Sequence, residues 1–129
     1  MNLIYQDESY KIRGSAFEIY KKFRNAYKEK IYQNAFVISL KEKGLIVEKE
    51  KRIDIYFKNK KVGVYIPDLV VNEKIVIELK AKPKLLPDDI NQFWLYLKGS
   101  SYKVGFLINF GAAEGVEIIR RVYDSARNK

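Results

Sequence analysis

The sequence predicts an α/β protein of the α+β, mixed-sheet kind, with two leading helices, a run of strands, a third helix and a further strand. Two observations carry this reading. Apolar residues recur at helical spacing up to Gly44 and at strand-like spacing after it, and one later amphipathic helix separates two strongly apolar strands.

In the first helix, from Ser9 to about Phe23, Ile12, Ala16, Ile19, Tyr20 and Phe23 form an inward stripe. The second runs from about Tyr27 to Lys43, with Ile31, Ala35 and Ile38 inward beside Tyr32 and Phe36, and Gly44 ends it. Ile46 to Lys51, Ile53 to Phe57 and Val62 to Ile66 then read as strands of a meander, with Lys58 to Lys61 as a turn. Asp68 to Val71 and Ile75 to Ala81 are two more β segments around Asn72-Glu73-Lys74, and Pro83 and Pro87 punctuate the exit. Asp88 or Asp89 caps a helix whose stripe is Ile90, Phe93, Trp94 and Leu97, and Gly99 ends it. Lys103 to Phe110 is apolar enough for a buried strand, which a right-handed crossover would set parallel to the Ile75 strand. The stretch from Gly115 to Tyr123 fits an edge strand or a last helix equally well.

The chain of 129 residues, 47% of them hydrophobic, suits a single domain over 1–129 with a core of its own. It has no run long and apolar enough to span a bilayer, and residues 1–8 lack a basic flank and apolar stretch, so the expectation is a cytoplasmic protein with no membrane partner. Without cysteine or histidine, disulfides, histidine bases and Ser-His-Asp triads are excluded, and carboxylates, lysines and tyrosines must carry any chemistry. A net charge of +9 favours a polyanionic partner. Lysine-rich surfaces also simply keep proteins soluble, so the charge needs a site beside it.

The site candidate lies in Ile75 to Ala81. Period-2 alternation puts Val76, Glu78 and Lys80 on one face and Ile75, Ile77, Leu79 and Ala81 on the other. If Asn72-Glu73-Lys74 is a three-residue loop, Val71 faces Ile75 and Asp68 falls opposite Glu78. A two-residue loop would set Asp68 against Ile77 and mix the faces, so the hydrophobic pattern selects the first register. Two cross-strand carboxylates can hold Mg²⁺ or Mn²⁺ through oxygen, with the Leu79 backbone carbonyl as a further ligand and Lys80 beside the reacting water. The bland reading is an ion-pair network on an exposed sheet face.

At these residues the sequence resembles the PD-(D/E)xK nuclease superfamily, through Pro67-Asp68 and Glu78-Leu79-Lys80. From about Gly14 to Arg121 it resembles the GxxExxY family placed there. The naming motif aligns with Ala26 to Tyr32, where Glu29 and Tyr32 match and Ala26 replaces the glycine, and further matches are 65–71, 77–81, Gln92 with 96–98, and 105–111. The resemblance implies a restriction-endonuclease-like αβββαβ core with N-terminal helices. In it Asp68 and Glu78 are metal ligands, Lys80 is the catalytic lysine, and Glu29 is an extra acid beside the metal. It also implies that Gln92 and Tyr96, one turn apart, match a QxxxY motif that contacts nucleic acid, with Tyr32 a further substrate-side residue. Lys82, Lys84 and Lys98 flank the site and could meet phosphates, whereas Trp94 and Asn109 read as packing and backbone-satisfying residues.

The function expected is a Mg²⁺- or Mn²⁺-dependent nuclease that hydrolyses phosphodiesters, of DNA rather than RNA, with a metal-activated water. The rival is a catalytically silent or partner-dependent nucleic-acid-binding module on the same fold, and a purely structural homo-oligomer ranks last. A chain this short leaves no room for a separate recognition region, so sequence specificity would come from a homodimer or a partner protein.

Overall fold

The computed structural model describes residues 4–123. The ends of the stretch assigned to one domain, residues 1–3 and 124–129, lie outside the described residues. Two helices lead, α1 (Gln6–Phe23) and α2 (Glu29–Glu42). Five strands follow, β1 (Val47–Lys49), β2 (Ile53–Phe57), β3 (Lys60–Tyr65), β4 (Leu69–Val71) and β5 (Ile75–Lys80). Helix α3 (Pro87–Gly99) precedes β6 (Val104–Asn109) and β7 (Glu117–Val122). The main sheet has five strands in the order β1-β4-β5-β6-β7, and β2 and β3 form a separate two-stranded sheet.

The expected meander is therefore corrected. β1 pairs antiparallel with β4 through Val47 opposite Val71, while β2 and β3 pair only with each other. The turn between β2 and β3 is shorter than expected, because Lys58 and Asn59 both take left-handed backbone (φ 51° and 65°) and free Lys60 and Lys61 for the strand. β5 and β6 are parallel, with α3 between them in the chain, as the apolar run of β6 implied. β7 settles the ambiguous tail as a strand antiparallel to β6.

Strand alternation divides the core in two. Ile75, Ile77 and Leu79 of β5 pack with Phe106 and Ile108 under α1 and α2, whereas Val76, with Val70 and Leu107, packs with Phe93 and Leu97 of α3. Helix α1 buries Ile12, Ala16, Ile19 and Tyr20 as its spacing predicts. Helix α2 is turned from the expected face. Tyr32, Phe36 and Leu40 are fully buried, while Ile31 and Ile38 are 42% and 62% exposed. The apolar residues of this helix spread over more than half its circumference, and the orientation found buries the larger rings, with Tyr32 stacked on Phe110 at 4.4 Å and Phe36 edge-on to the same ring.

The start of α3 departs from expectation in a useful way. Leu86 occupies the cap position and Pro87 the first turn, while Asp89 reaches back to accept the Leu86 N–H at 2.8 Å. Asp89 also takes Lys82 Nζ at 2.8 Å, tying the exit of β5 to the helix. Asn109 is fully buried and satisfies backbone groups on both sides: its side chain accepts the N–H groups of Lys82 and Gly111 and donates to the Lys82 carbonyl.

The orientation of α2 is testable by urea denaturation. Phe36→Ala is expected to cost about 3–5 kcal/mol, and Ile38→Ala to stay within about 0.5 kcal/mol, as for an exposed position. The reverse ranking would contradict the packing described.

Candidate active site

Leu69 opposite Ile77, Val70 opposite Val76 and Val71 opposite Ile75 fix the β4–β5 register, and one step further Asp68 lies across from Glu78. The loop that sets this register is Asn72-Glu73-Lys74, with left-handed Asn72 and Glu73 (φ 51° and 58°) and a Lys74 N–H to Val71 carbonyl bond of 3.0 Å. Asp68, Glu78 and Lys80 thus stand on the α3 side of the sheet, near the C-terminal end of β5.

The surroundings of the two acids are specific. Asp68 Oδ2 accepts the Leu79 N–H at 2.7 Å, and the Asp68 backbone carbonyl is held by the buried Gln33 amide at 3.0 Å and by the Glu50 N–H at 3.1 Å. The side chains of Asp68 and Glu78 lie within hydrogen-bonding reach of one another. Burial and then the Asp68 charge push the Glu78 carboxyl well up, to about 8. Burial also raises Asp68, against the opposing pull of the Leu79 N–H. The two cannot both ionise cheaply, and the pair retains a proton at neutral pH.

A cleft of about 200 Å³ opens beside Glu78, lined by Glu78, Lys80, Asp89, Gln92 and Tyr96 with Val64, Tyr65 and Ile66. Tyr65 is buried, stacks on Tyr96 at 4.6 Å, and has a hydroxyl against Glu78 that reaches no hydrogen-bond geometry. Burial and Glu78 together raise that phenol, keeping it neutral. A buried hydroxyl without a partner beside a raised carboxyl marks a site whose polar atoms are completed by something else.

The oxygen-only donor set suits a hard divalent cation. Asp68 and Glu78 lie side by side. The Leu79 carbonyl turns to the β4 side of β5, like its N–H, while the Lys80 carbonyl on the other side is taken by the Phe110 N–H at 2.9 Å. Among the described residues no group of three acidic, histidine or cysteine side chains is gathered closely enough for a metal, so Glu29 does not complete a triad here. It starts α2, on the opposite layer of the sheet, and is exposed, yet it feels the charges of Asp68 and Lys80. Desolvation first and Asp68 second raise its carboxyl.

The other candidates divide. Gln92 and Tyr96 line the cleft together, as their one-turn spacing predicts. Tyr32 does not serve as a substrate contact: it is fully buried, its hydroxyl donates to the Arg24 carbonyl and accepts the Tyr27 N–H, and its ring is held by Phe110. Lys82 is committed to Asp89. Lys98 sits two residues, or about 200° of helix, from Tyr96, with its ammonium 5.4 Å over the Trp94 ring, away from the cleft. Lys84 is exposed and lies outside the cleft lining.

Three residues escaped the sequence reading: Gln33, Tyr65 and the structural use of Asp89. Gln33 left a usable signal, since it is a polar residue one turn after Glu29 next to the buried Tyr32. Tyr65 left none beyond its nearness to Asp68.

A sequence model described as the PD-(D/E)XK nuclease superfamily matches residues 6–122. No curated protein and no solved structure matches the chain.

The raised acids give stability a definite pH dependence. Between about pH 4.5 and 8 the folded pair holds more protons than the unfolded chain, so stability falls as pH rises through that window. In chelator, the melting temperature of the wild type is expected to drop across this range and that of Glu78→Gln to drop less. Equal slopes in a calorimetric pH series would contradict the burial of charge described.

Proposed function

Because the chain belongs to the PD-(D/E)XK nuclease superfamily, whose members generally use divalent metal ions, we propose that it is a Mg²⁺- or Mn²⁺-dependent nuclease that hydrolyses phosphodiester bonds, with DNA as substrate. The observation that carries this reading is the half-buried Asp68–Glu78 pair, with Glu78 and Lys80 both lining one cleft. Asp68, Glu78 and the Leu79 carbonyl would hold the ion. When bound, Mg²⁺ or Mn²⁺ supplies Lewis acidity toward a phosphate oxygen and toward water.

The chain's own residues supply the rest. Lys80 presents a positive charge in the cleft, to orient the attacking water and stabilise charge growing on the phosphate. Gln92 offers an amide one turn from the Tyr96 ring, and together they align the strand beside the acids. Gln33 fixes the Asp68 backbone, so that its carboxylate is aimed without searching. Glu29, at the start of α2, adds a negative charge that Asp68 feels and that helps retain a cation.

A second reading, a module that binds nucleic acid without cutting it, draws on one observation: Asp68 Oδ2 is already engaged by Leu79, and among the described residues no third acid closes around the pair. Incubation with end-labelled DNA and RNA in Mg²⁺, Mn²⁺ or chelator separates the two. Metal-dependent cleavage is expected for the wild type, abolished in Glu78→Ala and Asp68→Asn, and reduced about 10²–10³-fold in Lys80→Ala, the usual scale for one electrostatic group. Salt-sensitive binding with no cleavage in either metal favours the second reading.

A further inference from the structure

The β2–β3 hairpin leaves the main sheet, and near its base Ile53 and Tyr65 join Phe93 and Leu97 in the core while Ile55 packs beside Gly99 of α3. At about 3.3 Å per residue its tip stands roughly 16 Å beyond Tyr65, which lines the catalytic cleft. Apolar side chains flanking the tip are unburied: Tyr56 is 59% exposed, Phe57 62% and Val62 62%. Residues 51–66 carry five cations, Lys51, Arg52, Lys58, Lys60 and Lys61, against the single anion Asp54.

Lysines alone are explained by protection of an open strand edge. Exposed aromatics are not, because they increase the risk that the lysines reduce. Their pairing is informative. Tyr56 lies opposite Lys61 and Phe57 opposite Lys60, on successive positions that alternate between the faces of the ribbon, and the Lys61 ammonium pairs with Asp54 at 3.2 Å. Lys58 also lies 5.3 Å over the Phe57 ring. Rings for bases and cations for phosphates on a projecting arm are what unpaired nucleic acid requires; Lys58 and Asn59 at the turn would also suit a duplex groove, but the exposed Tyr56 and Phe57 rings find bases to stack on only where the strand is unpaired. The row continues at the cleft, where Tyr96 is exposed and backed by Tyr65.

We propose that the β2–β3 hairpin is a single-strand clamp, in which Tyr56 and Phe57 stack unpaired bases and Lys58 and Lys60 contact the phosphates of the strand leading to the cleft. This rests on the nuclease reading of the cleft for its direction, but binding can be measured in chelator, where neither metal nor cleavage enters.

The test is fluorescence anisotropy of the whole chain with a labelled oligothymidylate and with a labelled duplex of equal length. Tyr56→Ala/Phe57→Ala is expected to weaken strand binding about tenfold or more per ring, and the duplex less. Lys58→Glu/Lys60→Glu is expected to weaken strand binding and flatten its salt dependence, while Tyr10→Ala/Phe17→Ala, on exposed positions of α1, leaves it unchanged. All these positions are exposed, so melting temperatures should stay near the wild type. Affinities within twofold of wild type, an equal or larger loss on the duplex, or a change in sedimentation mass in place of affinity would each overturn the proposal. So would a wild type that binds neither probe, and the cleavage assay with Glu78→Ala still judges the cleft independently.

Discussion

The register of β4 against β5 is the constraint on which the rest of the site depends. A strand shifted by one residue turns every side chain to the opposite face, and here such a shift would set Asp68 against Ile77. The turn 72–74 prevents it. Asn72 does more than bend the chain, since its side-chain oxygen accepts the Ile46 N–H at 2.8 Å and its own N–H donates to the Ile46 carbonyl, also at 2.8 Å. One residue therefore pins the β4–β5 turn and the entry to β1 together. The site acids are aligned by a turn at the far end of the same two strands.

Placing two carboxylates across a buried pair of strands has an electrostatic cost, visible in the upward push on Glu78, Asp68 and, more weakly surrounded, Glu29. A fold that only needed stability would place apolar side chains there, as it does at Val70 and Val76 on the same face. The cost is localised. Gln33, the Leu79 N–H and the Lys82–Asp89 pair hold the surrounding groups in place, so the acids are already in position without a ligand.

Much of this was legible in the sequence because it is written in short-range periodicity. The alternation of Ile75 to Ala81, the one-turn spacing of Gln92 and Tyr96 and the continuous apolar run of β6 each specify a face. What escaped depends on choices between comparable faces or on distant partners. The apolar residues of helix α2 spread over more than half its circumference, so periodicity could not decide between Ile31–Ile38 and Tyr32–Phe36, and the choice was made by Phe110, far along the chain. That choice also removed Tyr32 from the substrate side. The β2–β3 hairpin reads as part of a meander locally. Its separation follows from β1 finding β4, a pairing that no local pattern records. Lys82 and Lys98 are cationic in sequence, but Asp89 and Trp94 decide where their charges rest.

The most direct test of the account is a calorimetric titration of the metal-free chain with Mn²⁺ near neutral pH, repeated in two buffers of different ionisation enthalpy. The account predicts saturable binding accompanied by proton release, because the ion displaces the proton held by the Asp68–Glu78 pair, and loss of both in Asp68→Asn/Glu78→Gln. Binding that survives this double substitution unchanged, or no binding by the wild type at all, would contradict it.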